Sequence, residues 1–170
     1  MRAQCFPLAV LVPVPETHWD GDLAADLFAP DWTPWLAVFD GVSYPRDYTL
    51  GGYTILLVAD DGTEAYYAHG FPSRVSGRVQ AGQVIGYVDR SGNAAQTPPH
   101  LHFAVGVINA NGGGTISPAE WLDGVLPPEP PDGEPIVVGA PGMGLLILGG
   151  LMAAGGVALI MNEKRGGRQP

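Results

Sequence analysis

Three segments, Tyr53-Thr54-Ile55-Leu56-Leu57-Val58, Thr63-Glu64-Ala65-Tyr66-Tyr67-Ala68-His69-Gly70 and Gln83-Val84-Ile85-Gly86-Tyr87-Val88, read as strands, and the turn Asp60-Asp61-Gly62 separates the first two. Short apolar runs of this kind, spaced by Gly and Pro over residues 53 to 106, predict an all-β, sandwich-like sheet. Chain length leaves room for one compact domain ahead of the C-terminal region described below.

The next stretch, Thr97-Pro98-Pro99-His100-Leu101-His102-Phe103, carries two of the four histidines of the chain. In a strand, residues two apart share a face, so His100 and His102 project side by side and Leu101 points the other way. Neutral imidazole is the commonest protein ligand for zinc, and a catalytic zinc takes three protein ligands, leaving a fourth position open. The pair can supply one ligand and one neighbouring base. On its own, His-x-His is equally a packing pattern. His69, after Tyr66-Tyr67-Ala68, also suits a strand-end histidine, and Asp26, before Leu27-Phe28, suits a turn or cap.

Motif order adds what single motifs lack. Tyr66-Tyr67-Ala68-His69, Val79-Gln80-Ala81-Gly82-Gln83-Val84-Ile85-Gly86-Tyr87-Val88, Ser91-Gly92-Asn93 and Thr97 to Phe103 together resemble the core of the lysostaphin/LytM-type zinc metallopeptidases, which cut peptide bonds in bacterial cell walls. Upstream, Asp26-Leu27-Phe28-Ala29-Pro30 and Thr33-Pro34-Trp35-Leu36-Ala37-Val38-Phe39-Asp40-Gly41 are similar to that family's opening motif, so the resemblance covers about residues 16 to 123. It implies a mainly β, antiparallel fold of the duplicated-hybrid-motif type with a groove across the sheet. It also implies zinc ligands at His18, Asp26 and His102, with His69 and His100 as non-ligand catalytic histidines. Zinc-activated water would then hydrolyse a peptide bond of peptidoglycan, with the histidines orienting and deprotonating it. Tyr66 or Tyr67 is the expected substrate contact; Trp19, Trp32 and Trp35 read as core and groove wall.

The chain departs from the family in the first motif. His18 stands eight residues before Asp26, where the family's usual spacing is four and this chain has Asp22. A loop that can bulge at Gly21 would accommodate the longer spacing, but Asp22 or Asp20 is an alternative ligand to His18. Asp31-Trp32 and Asp89 stand where the family tends to have glycine, which bears on loop shape and substrate fit.

The formal net charge of −9 argues against nucleic acid as a partner. Lone Cys5 cannot close an internal disulfide. From Val137 to Met161, about 25 uncharged residues are long enough to cross a hydrocarbon core about 30 Å thick as a helix. Lys164, Arg165 and Arg168 follow this span while Glu129, Asp132 and Glu134 precede it, which predicts a cytoplasmic C-terminus and an external catalytic domain. The Pro-rich residues 127–136 predict a semi-rigid spacer. Gly150, Ala154 and Ala158 repeat at helical spacing and suit a helix–helix partner or self-association, although such residues are frequent in membrane helices.

The expected organisation is an N-terminal segment 1–15, a peptidase domain 16–126, the linker 127–136, a transmembrane helix 137–161 and a basic tail 162–170. Ser117-Pro118-Ala119-Glu120-Trp121-Leu122 reads as a short closing helix with Ser117 as its cap. Segment 1–15, broken by Pro7, Pro13 and Pro15, makes a poor signal peptide, so delivery in a virion or by another export route is an open expectation. The expected activity is that of a membrane-anchored zinc endopeptidase. The alternatives are a non-catalytic, membrane-tethered module that binds wall or regulates another hydrolase, and a structural membrane subunit of a virion or large complex.

Overall fold

A computed structural model of the chain describes residues 4–16, 18 and 23–128. Asp20, Asp22, most of the Pro-rich linker, the apolar span 137–161 and the basic tail lie outside these residues. Among the described residues no helix is long and apolar enough to cross a membrane.

The described strands are β1 (Ala24–Phe28), β2 (Pro34–Leu36), β3 (Gly41–Tyr48), β4 (Gly52–Ala59), β5 (Glu64–Gly70), β6 (Gly77–Val79), β7 (Val84–Tyr87) and β8 (His100–Gly106). Six of them form one antiparallel sheet in the order β1-β8-β5-β4-β3-β6, and β2 pairs with β7 in a second, two-stranded sheet. The three segments that predicted strands fall on β4, β5 and β7.

Period-two alternation sorts the large sheet into two faces. Ala25 and Leu27 of β1, Leu101, Phe103 and Val105 of β8, Ala65 and Tyr67 of β5, and Ile55 and Leu57 of β4 are all fully buried in one apolar cluster. Burying each of the larger apolar side chains contributes about 1.5–3 kcal/mol. Their alternates, Asp26, His100, His102, Tyr66 and Ala68, line the opposite face, where Ala24, Tyr66, Ala68 and Ala104 form a small buried cluster with Ile108 packed against it.

Trp35 of β2 covers the buried face, and two glycines make room for it. A Cβ on Gly86 of β7 would stand 2.7 Å from Trp35 Cε3, and one on Gly70 would overlap the indole outright. Glycine inside a strand is accounted for here by close approach of a ring.

The N-terminal boundary needs correction. Cys5, Phe6, Leu8, Ala9 and Val10 are buried, and Phe6, Leu8 and Val10 belong to the main core. Leu36 N–H donates to Pro7 O at 2.8 Å, Ala9 N–H to Pro34 O at 3.1 Å and Phe6 N–H to Leu126 O at 3.2 Å. This segment therefore joins β2 to the C-terminal end of the domain and is part of the folded unit, and the apolar run Leu8 to Val12 is largely core. Prolines at 7, 13 and 15 do not prevent this, because the segment pairs through scattered bonds and not through a continuous ladder. At the other end α1 (Pro118–Trp121) forms as expected, with Ser117 Oγ accepting from Glu120 N–H.

Candidate metal centre

Register places the polar groups. Asp26 of β1 is directly opposite His102 of β8, and Ala68 of β5 flanks His102 on its other side. Asp26 Oδ1 lies 3.1 Å from His102 Nδ1, 3.3 Å from His18 Nε2 and 3.9 Å from His100 Nε2. The rings of His18 and His102 meet edge to face with centroids 4.9 Å apart. His18, Asp26 and His102 present one ligand atom each within 4.8 Å of one another. His18 reaches this cluster from the chain preceding β1; Asp20 and Asp22, the alternatives to it, fall outside the described residues.

His69 needs a different device. Strand alternation would send its side chain to the core face with Tyr67. Between β4 and β5 the register slips: Tyr53 pairs with Gly70 but Ile55 pairs with Tyr67, so Ala68 and His69 together oppose Thr54. His69 itself has φ +69°, an uncommon conformation for a residue with a side chain. Such a bulge re-aims the side chain, and the His69 ring comes to 4.9 Å from His100 and 6.0 Å from His102.

Backbone carbonyls set the tautomers. A carbonyl can only accept, so His69 Nδ1–H donates to Ser91 O at 3.0 Å and His100 Nδ1–H donates to Pro98 O at 2.8 Å. Both rings are left with Nε2 as the basic nitrogen. His102 is bound the other way: Nε2–H donates to Gly112 O at 3.2 Å, which turns the lone pair of Nδ1 towards Asp26. Ser91 does more than supply a carbonyl, since its hydroxyl donates to Gly70 O and accepts from Tyr53 N–H, holding the end of β5 where the bulge leaves it.

Electrostatics follow burial. His18, His69 and His100 are buried, while Asp26 and His102 are half-buried. Burial pushes the pKa of His69 down to about 4, helped by the charge of His100, so His69 is neutral at ordinary pH. Burial works to raise the carboxyl of Asp26, but the closeness of His102, His100 and His18 outweighs it and holds Asp26 below the usual carboxylate range.

Of the two tyrosines expected at the substrate, Tyr67 is excluded. It is fully buried on the core face, its hydroxyl donates to Leu36 O at 2.9 Å and accepts from Val38 N–H at 3.1 Å, and it makes a core contact with Phe103. The error was one of phase, since adjacent strand residues point to opposite faces. Tyr66 does stand on the site face, edge-on to His102 at 6.2 Å, but it too is buried, and burial raises its hydroxyl to about 12. The sequence reading passed over the carbonyls of Ser91, Pro98 and Gly112. Only the first two had a signal, lying inside motifs already singled out; Gly112 lies in a glycine-rich turn.

Comparison with known proteins bears on the family and the fold. Residues 21–119 match the model of Peptidase family M23. The DD-carboxypeptidase/endopeptidase Mpg of Neisseria meningitidis serogroup B is 36% identical over 88 residues, 50% of this chain and 20% of the relative. Glycyl-glycine endopeptidase ALE-1 of Staphylococcus capitis is 40% identical over 83 residues, 46% of this chain and 22% of the relative. The match thus spans about a fifth of the length of these curated relatives. Among solved structures, the catalytic domain of the antimicrobial peptidase lysostaphin from Staphylococcus simulans superposes with a TM-score of 0.51 at 28% identity, covering 66% of this chain and 87% of that one.

Proposed function

The chain belongs to peptidase family M23, of the lysostaphin/LytM type, and from that premise we propose that it is a membrane-anchored zinc endopeptidase that hydrolyses peptide bonds of peptidoglycan. One observation carries the metal part of this reading. His102 has an acceptor against each of its nitrogens, Gly112 O at 3.2 Å and Asp26 Oδ1 at 3.1 Å, and His18 Nε2 faces the same carboxylate oxygen at 3.3 Å. Lone pairs converging in this way are satisfied by a shared cation. Tetrahedral zinc with bonds near 2.0–2.2 Å keeps its ligand atoms about 3.3 Å apart, which the two separations from Asp26 Oδ1 match.

His18, Asp26 and His102 would hold the zinc, which would supply Lewis acidity and lower the pKa of water towards neutrality. The chain's own residues do the rest. His69, kept neutral by burial, offers Nε2 as the base that takes the proton of the attacking water. His100, its Nδ1 tied to Pro98 O and its Nε2 on the Asp26 side, orients the same water through Nε2, and the proton that His69 takes up is the one passed on to the leaving amine. Tyr66 stands edge-on to His102. A hollow of about 490 Å³ lined by Tyr48, Gly52, Tyr53 and Ser91 borders the residue that fixes His69, and supports a substrate path on that side. The names of the relatives, an endopeptidase for glycyl-glycine bonds and a carboxypeptidase/endopeptidase, support a cell-wall peptide as substrate. The uncharged span 137–161 with its basic tail supports an anchor that keeps the domain outside.

The test is elemental analysis with digestion of purified peptidoglycan by the full chain. About one zinc per chain is expected, lost in His102→Ala together with hydrolysis; His69→Ala should retain zinc and lose at least 100-fold in rate. Zinc binding without chelator-sensitive digestion would instead make the protein a wall-binding module, and recovery of the full chain in the soluble fraction would remove the anchor.

A further inference from the structure

The turn between β8 and α1 contains a feature that no family motif above includes. Asn109 Oδ1 accepts from Asn111 N–H at 2.8 Å and from Gly113 N–H at 3.1 Å. The Asn109 backbone adds two more bonds, its N–H donating to Gly113 O at 2.9 Å and its carbonyl accepting from Gly112 N–H at 3.1 Å. Four bonds to one residue close the turn around Gly112, and the Gly112 carbonyl is the group on His102 Nε2. Both flanks are pinned as well: Ile108 N–H donates to Glu64 Oε2 at 2.9 Å and Gly114 N–H to Leu23 O at 3.0 Å. Gly112 has φ +86°, and a Cβ there would stand 2.9 Å from Tyr66 Cε1 and 3.7 Å from His102 Nε2, so only glycine can bring its carbonyl so close over the ring.

From this we infer that Asn109 is a positioning residue for His102: by clamping the 109–113 turn it aims the Gly112 carbonyl, which fixes the Nε2–H tautomer and leaves Nδ1 as the nitrogen facing Asp26 and His18. The inference rests on His102 being a ligand through Nδ1. A histidine ligand commonly donates its second nitrogen to a carbonyl or carboxylate, and loss of such a partner costs 10–100-fold in metal affinity. Here the partner is a main-chain carbonyl, so its aim depends on a side chain three residues earlier, Asn109, which bonds to the turn and not to His102.

Asn109 is exposed, and its replacement removes no core contact. The experiment compares the full chain with Asn109→Ala and Asn109→Asp. Zinc affinity is measured by competition with a chromophoric chelator, the His102 tautomer in the metal-free protein by long-range ¹H–¹⁵N correlation, and folding by the melting temperature. Asn109→Ala should melt with the parent, bind zinc 10–100-fold more weakly and lose the single Nε2–H signature; Asn109→Asp, which keeps both acceptor bonds, should restore both. Unchanged zinc affinity and an unchanged tautomer in Asn109→Ala would overturn the inference and leave the metal reading standing. A parent chain that binds no zinc overturns the metal reading instead, and the tautomer comparison still decides the part of Asn109.

Discussion

Trp32 is a large side chain in a conformation suited to glycine. Its φ is +69°, it is 47% exposed, and its ring stacks on Phe71 with centroids 3.6 Å apart. The left-handed backbone costs of order 1 kcal/mol, and the stack offsets that cost. Two substitutions separate the terms. Trp32→Gly loses the stack and relieves the backbone, whereas Trp32→Ala loses the stack and keeps the strain, so the glycine variant should be the more stable of the two by about 1 kcal/mol in chemical denaturation. The reverse order would mean that the strain at this position is negligible. The resemblance to a family with glycine here exposed Trp32 as a departure, but its compensation by Phe71, distant in sequence, could be seen only in the fold. His69 is comparable: its presence at the end of a strand was legible, but the one-residue slip that turns it to the site belongs to the pairing of β5 with β4, which no local pattern encodes.

Strands are the scale at which this sequence was most legible, because alternation specifies which residues face the core. His100 and His102 fell on one face and Leu101 on the other, and their register against Asp26 followed from the pairing of β1 with β8. The same rule, applied without its phase, admitted Tyr67 beside Tyr66 as a site residue, and Tyr67 proved to be core. The N-terminal segment was misjudged for a related reason: its prolines argue against a strand, and the fold uses it as an irregular covering layer over β2. Strand glycines give the sharpest prediction here. Since a Cβ on Gly86 would stand 2.7 Å from a fully buried indole, Gly86→Ala forces Trp35 to shift in a core that has no slack, with an expected loss of about 1–3 kcal/mol. Gly86 is not among the glycines with positive φ, so left-handed backbone strain adds nothing to that loss. If Gly86→Ala matched the parent in urea unfolding, packing against Trp35 would not be the reason for glycine in β7.

At the scale of the whole molecule, gathering four histidines and a carboxylate on one sheet face ties folding to protons. His69 is folded with a pKa of about 4, pushed down chiefly by burial, against an ordinary value near 6.5 in the unfolded chain. Between those values the unfolded chain binds a proton that the folded one does not, so stability falls as pH falls, by on the order of 1 kcal/mol per pH unit, and levels off below about 4. Asp26, held below the usual carboxylate range, adds a loss of the same sign at still lower pH. Metal binding points the same way, since its ligands must be deprotonated. For the metal-free chain kept in chelator, urea midpoints should therefore decline from neutrality to about pH 4. His69→Gln, which keeps a side-chain N–H for Ser91 O but cannot titrate, should flatten the decline above pH 4 and leave the Asp26 loss in place. A variant as acid-labile as the parent across that window would show that His69 is not the group through which burial at this site is linked to the stability of the fold.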